Sequence, residues 1–278
     1  MKSQISICCA VDVSYTFHLA TMLFSLFHHN QDEEFEIYLL HSGLSSQEVA
    51  PINRIVTSFS NRLHLILVDD QVLKKAPVFG HISIATYFRL MVPNLLPKGL
   101  SRVLYLDSDI LVLVKVRRIW ELELGDHLLA AVKDGEGTLY NYLGLREDEP
   151  YFNAGVLVID LEGWRNEAIA EKAYKFLVDN PEKIKYWDQD ALNFVLRDRW
   201  KEMESEWNFI WREGLREANS LGRIIHFIGE HKPWNYYCNH PMKGLYHSYR
   251  KKAGLPPIKF VQESLTFRTK AFLKNLIK

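Results

Sequence analysis

Residues 102–114 have the sequence Arg-Val-Leu-Tyr-Leu-Asp-Ser-Asp-Ile-Leu-Val-Leu-Val, in which two carboxylates interrupt an apolar run. The apolar residues before them predict a buried strand that ends at Asp107. Strand alternation then places Asp107 and Asp109 on one side, with Ser108 turned away. Such oxygen ligands bind Mg²⁺ or Mn²⁺ and leave coordination positions free for phosphates. An isolated Asp-x-Asp triplet is usually a pair of solvated loop acids, but charges flanked by buried strand need a partner.

The chain on both sides of this stretch alternates between short apolar runs and amphipathic segments. Strands are predicted at residues 5–11, 35–40, 63–68, 102–106, 128–132, 152–161 and 223–228, and helices at residues 16–27, 45–60, 81–90, 162–179 and 191–199. This order predicts an α/β fold, a single Rossmann-like domain whose mostly parallel sheet carries helices on both faces. Ligands of such sheets bind beyond the carboxyl ends of the strands, where Asp12 and Asp107 are both predicted to lie.

The composition is that of a folded protein outside the membrane. Apolar residues make up 47% and charged residues 24% of the chain, which are ordinary globular values. No stretch approaches the ~18 consecutive apolar residues of a spanning helix. The first apolar run stops at Asp12, which favours a buried strand over a signal peptide. The cysteines, Cys8, Cys9 and Cys238, form neither a disulfide framework nor a Cys-x-x-Cys motif, so we expect a cytoplasmic protein.

Charge is distributed unevenly, although its formal sum is zero. Residues 241–278 contain nine Lys or Arg and one acid, Glu263. Within them, residues 261–278 place Leu and Phe at partly helical spacing among cations, which predicts a basic amphipathic helix. We therefore divide the chain into a domain, residues 1–240, and a C-terminal tail, residues 241–278. The charge of the tail favours an anionic partner, lipid head groups or nucleic acid, and the alternative is a terminal helix packed on the domain.

Two later regions provide further candidate site residues. His226 lies in a strand-like run, and Lys232 follows it closely. A histidine added to two carboxylates favours Mn²⁺ over Mg²⁺, and a nearby lysine would neutralise a diphosphate. Both residues have ordinary alternatives, because a strand histidine is commonly a core residue and residues 229–232 could form a surface turn. Residues 135–150 are polar and contain several glycines, which predicts a loop over the site.

Five motifs, taken together, make the sequence recognisable. They are HISIATYFRL at residues 81–90, VLYLDSD at 103–109, YFNAGV at 151–156, WDQDALN at 187–193 and HFIGEHKPW at 226–234. In this order and spacing, over about residues 5–240, they resemble glycosyltransferase family 8, which includes glycogenin and bacterial lipopolysaccharide galactosyltransferases and glucosyltransferases. The resemblance implies a GT-A-type nucleotide-sugar-binding domain with a UDP-sugar donor and Mn²⁺, or Mg²⁺ in its place. It further implies retaining transfer of a hexose, glucose or galactose, to a saccharide or lipid-linked saccharide.

The resemblance also implies roles for individual residues. It implies a metal site formed by Asp107, Asp109 and His226. It implies nucleotide and phosphate contacts at Ala10, Asp12, Tyr15, Ser108, Gly229 and Lys232, with the Tyr15 ring stacked on the base. It implies contacts to the donor sugar at Arg89, Asp134, Asn153, Asp188 and Gln189. The structural alternatives are that Asn153 caps a turn, that Asp188 caps a helix and that Arg89 pairs with a surface acid.

The chain departs from the family pattern after the first predicted strand. The family commonly has Asp-x-Asn-Tyr there, whereas this chain has Asp12, Val13, Ser14 and Tyr15. The resemblance therefore implies the metal site more directly than the nucleotide preference. Bacterial members that glycosylate lipid-linked acceptors carry similar basic tails. This favours peripheral association of the tail with the anionic inner face of the cell membrane, and no binding to nucleic acid.

Two other functions compete with a transferase. A phosphatase of the haloacid dehalogenase type would use Asp107 as its nucleophile, but its motif lies on the first strand and has Thr or Val where this chain has Leu111. A non-catalytic sugar-nucleotide-binding protein would not require His226 and Lys232 beside both acids. For a retaining transferase, we favour a front-face path, because the family places Gln189 near the reacting carbon and an amide is a poor nucleophile.

Overall fold

Strands and helices alternate along the computed structural model, which describes residues 3–79, 83–136, 139–212, 222–229 and 232–258. The strands are β1 (Ile5–Ala10), β2 (Phe35–His41), β3 (Arg62–Leu67), β4 (Arg102–Leu106), β5 (Ile110–Val112), β6 (Leu129–Glu136), β7 (Pro150–Asp160), β8 (Trp200–Met203), β9 (Phe209–Ile210) and β10 (Ile224–His226). The α-helices are α1 (Thr16–His29), α2 (Ser46–Ser58), α3 (Val92–Leu95), α4 (Arg117–Trp120), α5 (Leu161–Asn166), α6 (Ile169–Asp179), α7 (Trp187–Val195) and α8 (Lys243–Lys252). Short 3₁₀ helices cover Val13–Tyr15, Asp70–Leu73, Ile84–Met91, Asn141–Leu143, Pro181–Lys183 and Ser205–Asn208.

The main sheet has seven strands in the order β3-β2-β1-β4-β7-β6-β8. Strands β3, β2, β1 and β4 are mutually parallel, and β8 is parallel to β6. Strand β7 is antiparallel to both β4 and β6. The predicted α/β architecture with a mostly parallel sheet is therefore confirmed. Because Val156 pairs with Leu106, the reversal of β7 brings residues 153–155 next to the carboxyl end of β4.

A second, three-stranded sheet has the order β5-β10-β9. Strand β10 is antiparallel to β5, with His226 opposite Ile110, and parallel to β9. The sequence predicted a strand near residue 226 but not its pairing partners. In this small sheet, β10 pairs with the residues that directly follow Asp109.

Both faces of the main sheet are covered, and β1 contributes to the core on each face. On one face, Cys9 packs in the cluster formed with α1 and α2, which includes Leu23 and Ile52. On the other face, Cys8 packs in a cluster with Phe88 and residues of α6 and α7. The two adjacent cysteines are fully buried and point to opposite faces of the sheet, as strand alternation requires.

One predicted helix cap is confirmed, and two predicted helices differ from those observed. The predicted cap of α2 is confirmed, since the Ser45 side chain accepts from the Glu48 N–H and Glu48 Oε2 accepts from the Ser45 N–H at 2.7 Å. Residues 84–91 form a 3₁₀ helix, and residues 81 and 82 lie outside the described residues. The helix predicted at residues 162–179 is divided into α5 and α6 at Ala168, whose φ of 52° is left-handed and interrupts a right-handed helix.

Helix α8 packs against α1 through two tyrosines. The Tyr246 hydroxyl lies 2.5 Å from His18 Nδ1, and the Tyr249 hydroxyl lies 2.6 Å from His29 Nε2. The beginning of the predicted tail therefore contacts the domain. The predicted amphipathic segment, residues 261–278, lies outside the described residues. Within the described ranges, no helix combines the length and the apolar character that crossing a membrane requires.

Candidate active site

Three potential metal ligands meet where the two sheets adjoin. Asp107 follows β4, Asp109 directly precedes β5, and His226 ends β10. The antiparallel pairing of β5 with β10 fixes the histidine beside the acids, and one ligand atom from each residue lies within 4.8 Å of the others. His226 Nε2 lies 3.3 Å from Asp109 Oδ1 and 3.9 Å from Asp107 Oδ2. The structure thus brings together the predicted metal triad, which is Asp107, Asp109 and His226.

The imidazole of His226 is oriented by a chain of two asparagines. His226 Nδ1 lies 2.9 Å from Asn208 Oδ1, and Asn208 Nδ2 donates to Asn153 Oδ1 at 2.8 Å. Because a carbonyl oxygen only accepts, Nδ1 donates to Asn208, and Nε2 is the ring nitrogen that faces the carboxylates. Metal-binding histidines typically have such a partner on the second nitrogen. Asn208 was not predicted from the sequence, and no local pattern distinguishes it.

The charges and unsatisfied atoms of the triad fit a divalent cation. Burial raises the pKa of the Asp107 carboxyl, while Arg89 opposes this change. Burial alone would also raise the pKa of Asp109, but Lys232 and His226 outweigh it and hold that pKa well below its usual range. Among the described residues, no hydrogen-bond donor satisfies the buried Asp109 Oδ1, a costly arrangement that a cation would relieve. Two carboxylates and one imidazole can therefore hold the metal ion that the family resemblance implies.

Gly155 on β7 makes room for the triad. Its carbonyl oxygen accepts from the Asp107 N–H at 2.9 Å. A Cβ atom at residue 155 would lie 2.7 Å from His226 Nδ1, still closer to Cε1 of the same ring, and 3.0 Å from Asp107 Oδ2. We did not predict this role, although glycine within a strand is a known signal of close approach by another group.

Arg89 connects two buried acids. Its Nη2 lies 3.0 Å from Asp107 Oδ1, its Nε lies 2.6 Å from Asp188 Oδ2, and Nη1 donates to the Ala154 carbonyl. Burial alone would lower the pKa of Arg89, but Asp107 and Asp188 raise it overall. Burial raises the pKa of Asp188 to about 6 against the opposing charge of Arg89. Arg89 thus pairs with buried acids, including one of the triad, and its contact with a sugar stays a prediction.

Gln189 and Asn153 lie close to the triad and already bond within the protein. Gln189 Oε1 accepts from the Ala154 N–H at 2.9 Å, and its Nε2 donates to the Tyr151 hydroxyl at 3.2 Å. Asn153 Oδ1 accepts from the Gly155 N–H at 3.0 Å as well as from Asn208. The Asn153 side chain therefore bonds to the backbone two residues further along and also supports the metal triad through Asn208. The contacts of Asn153 and Gln189 with a sugar stay predictions.

The predicted diphosphate residues lie on the other side of the triad. Lys232 Nζ donates to Asp109 Oδ2 and to the Phe227 carbonyl. Gly229 has a φ of +64°, which lets the chain turn between His226 and Lys232. Ser108 is buried between the two acids of the triad. Residues 230 and 231 of the same motif lie outside the described residues.

The predicted nucleotide residues follow β1. Ala10 is the last residue of that strand, and Asp12 Oδ1 accepts from the Ser14 N–H at 2.9 Å and the Ser14 hydroxyl at 2.5 Å. Tyr15 packs edge-on against Trp234 with ring centroids 5.6 Å apart. Burial, followed by the charge of Asp109, raises the pKa of Tyr15. Ser14 therefore bonds to Asp12 through both its backbone and its hydroxyl.

Asp134 pairs with an arginine that lies outside the metal triad. Its carboxylate pairs with Arg212, and no hydrogen bond to a triad residue is found for it in the described part of the chain. Of the predicted loop over the site, residues 135 and 136 belong to β6, and the part from residue 139 onward contains the 3₁₀ helix Asn141–Leu143. The Tyr140 ring stacks on Tyr151 at 3.6 Å, which links this loop to the partner of Gln189.

Comparison with known protein families matches residues 6–238 to Glycosyl transferase family 8. The chain is 30% identical over 260 residues to General stress protein A of Bacillus subtilis, across 87% of this chain and 91% of that protein. It is 25% identical over 255 residues to the lipopolysaccharide 1,3-galactosyltransferase of Salmonella typhimurium, across 86% of this chain and 75% of that enzyme.

The fold is similar to that of the galactosyltransferase LgtC, whose crystal structure was solved in complex with donor and acceptor sugar analogs. The TM-score is 0.80 at 26% identity, and the superposition covers 93% of this chain and 98% of LgtC. The predicted GT-A-type fold is therefore confirmed. The family match includes the three ligands of the metal triad together with Lys232, Arg89 and Gln189. The chain belongs to Glycosyl transferase family 8.

Proposed function

We propose that the protein is a metal-dependent, retaining hexosyltransferase that moves glucose or galactose from a UDP-sugar to a hydroxyl of a saccharide or lipid-linked saccharide. The observation that carries the proposal is the metal triad beside Lys232, in which Asp109 contacts His226 through one oxygen and Lys232 through the other. The similarity to lipopolysaccharide glycosyltransferases supports a saccharide acceptor. Mn²⁺ is the cation that we expect, with Mg²⁺ as the alternative.

Departure of the nucleoside diphosphate requires stabilisation of negative charge on a phosphate oxygen. A cation held by the triad would supply Lewis-acid stabilisation of that charge. Lys232 adds a positive charge at the same place, and its side chain is only 14% exposed, so its field is weakly screened by water. Asp109 and the Phe227 carbonyl hold the Lys232 ammonium in place before the reaction begins. The leaving group then needs no acid from the protein.

Retention of configuration requires either a carboxylate nucleophile or attack from the same face as departure. Asp190 is a poor nucleophile because it is fully buried and both its oxygens accept hydrogen bonds. The donors are the hydroxyls of Tyr142 and Tyr151 to Oδ1 and the N–H groups of Lys185 and Tyr186 to Oδ2. Asp188 bonds to Thr86 and pairs with Arg89. These contacts support a front-face path in which the departing phosphate oxygen accepts the proton of the acceptor hydroxyl.

Release of UDP from UDP-glucose and UDP-galactose, with and without Mn²⁺, tests the proposal. Asp109→Asn should lower the rate roughly 100-fold or more, because it removes a charged ligand of the cation that stabilises the leaving group. Asp198→Asn is the matched control, since that side chain is 77% exposed. Equal turnover by wild type and Asp109→Asn would contradict the metal assignment. Isolation of a sugar covalently attached to Asp188 or Asp190 would contradict the front-face path.

A further inference from the structure

Lys232 reaches the metal triad from a segment that we call the lysine loop, residues 232–236. The loop follows β10, and its first residue donates to Asp109 Oδ2 and to the Phe227 carbonyl. The backbone of the loop turns at once, since the Asn235 N–H donates to the Lys232 carbonyl at 2.8 Å. The distance from the ammonium to Asp109 therefore depends on what fixes the backbone of this loop.

Helix α8 donates hydrogen bonds to the lysine loop from two side chains. His247 Nε2 donates to the Pro233 carbonyl at 3.0 Å. Lys243 Nζ donates to the Asn235 carbonyl at 3.2 Å and to the Tyr236 carbonyl at 3.1 Å. Three of the five carbonyl groups of the loop are thus bonded to residues one turn apart on a single helix, which fixes the loop relative to α8.

The side chain of Trp234 attaches the same loop to the domain. Its ring stacks on His18 of α1 with centroids 3.6 Å apart and an interplanar angle of 21°. It also lies 5.4 Å from the Tyr246 ring of α8 and 5.6 Å from the Tyr15 ring. His18 and Tyr246 are in turn hydrogen-bonded to each other. The lysine loop is therefore packed between α1 and α8, beside the predicted nucleotide pocket.

We propose that α8 positions Lys232 against Asp109, and that Lys243 and His247 are positioning residues for the diphosphate-binding lysine. Both residues act through the backbone of the lysine loop, to whose carbonyl groups they donate. The helix lies beyond residue 238, where the family match ends. The part of this inference that concerns the diphosphate rests on the proposed function, whereas the positioning of Lys232 can be measured without it.

The first test measures the reactivity of the Lys232 amine in the full chain. Acetic anhydride is added in trace amounts, and acylation of Lys232 is followed by peptide mass spectrometry in wild type and in the Lys243→Met/His247→Ala double variant. We expect acylation of Lys232 to be about fivefold faster in the double variant. This is the factor that loss of about one hydrogen bond, that between the Lys232 ammonium and Asp109, would give. Lys251→Met, on the exposed side of α8, is the control and should leave the rate unchanged. An unchanged rate in the double variant would overturn the inference.

The second test measures binding of UDP with Mn²⁺ by calorimetry. The double variant should bind about fivefold more weakly than wild type, and this difference should disappear when Lys232→Ala is present in both proteins. A difference that persists without Lys232 would overturn the positioning role. If acylation is faster in the double variant but the wild-type protein binds no UDP, the positioning role is supported and the proposed function is contradicted. If the double variant does not fold, His247→Ala alone is compared with His247→Gln, which can still donate to the Pro233 carbonyl and should restore the wild-type rate.

Discussion

A methyl group at residue 155 should separate the metal ligands without removing any of them. In Gly155→Ala the new Cβ would lie 2.7 Å from His226 Nδ1 and 3.0 Å from Asp107 Oδ2, so the imidazole must move. Overpacking of this kind costs about 1–3 kcal/mol of folding stability. Movement of the ring also disturbs the 2.9 Å contact with Asn208, which orients Nε2. Loss of an orienting partner typically weakens metal binding ~10–100-fold, and we expect Mn²⁺ affinity to fall by this factor.

Two measurements on Gly155→Ala check this reasoning. Calorimetric titration gives the Mn²⁺ affinity, and guanidinium unfolding gives the free energy of unfolding without metal. Gly99→Ala is the matched control, because no described residue other than its chain neighbours has an atom within 4 Å of a Cβ built at residue 99. A Gly155→Ala protein that binds Mn²⁺ as tightly as wild type would refute the conclusion that this glycine is required by the ligand geometry.

Three further predictions concern the support of the triad, the aromatic contacts of α1 and the tail. Asn208→Leu removes the acceptor for His226 Nδ1, and calorimetry should show Mn²⁺ affinity reduced ~10–100-fold; wild-type affinity would mean that this contact does not orient the ligand. Burial lowers the pKa of His18 to about 3, with Arg250 adding to the effect, so the unfolded chain binds a proton there more readily than the native chain. The stability that uncharged His18 contributes should therefore be present above pH ~6.5 and fall by about 2 kcal/mol between pH 7 and pH 5. Urea unfolding at these two pH values should show a smaller fall in the free energy of unfolding for His18→Phe than for wild type. Equal falls in the two proteins would contradict the assignment of this pH dependence to His18. Truncation after residue 258 should abolish co-sedimentation with anionic vesicles while α8 and UDP binding are retained, and undiminished sedimentation would contradict membrane attachment through the tail.

The acids of the triad could be predicted because their signal is local. Asp107 and Asp109 lie between apolar runs, and a polar pair at the end of a buried strand needs a partner wherever the sheet is formed. His226 was a weaker candidate from its own surroundings, since a strand histidine is commonly structural. The family motifs, rather than periodicity, connected it to the acids.

The remaining parts of the site depend on contacts between distant segments. An apolar strand pattern does not reveal its direction, so the reversal of β7, which places Gly155 beside His226, could not be read from the sequence. Asn208 has no distinguishing neighbours and gains its role because a 3₁₀ helix ends beside β10. Arg89 was expected to contact the sugar, with a surface acid as the alternative partner. The acids that it pairs with are buried ones delivered by two distant motifs, and its contact with the sugar stays a prediction.

The small sheet that joins β5 to β10 also determines when the triad can form. The two paired strands are separated by more than a hundred residues, which makes their pairing a long-range step in folding. A chain synthesised from its amino terminus presents both acids well before His226 has been made. Under the proposed function, tight binding of the cation therefore has to wait until β10 has left the ribosome. Until then, the nascent chain has the acidic half of the site without the nitrogen ligand.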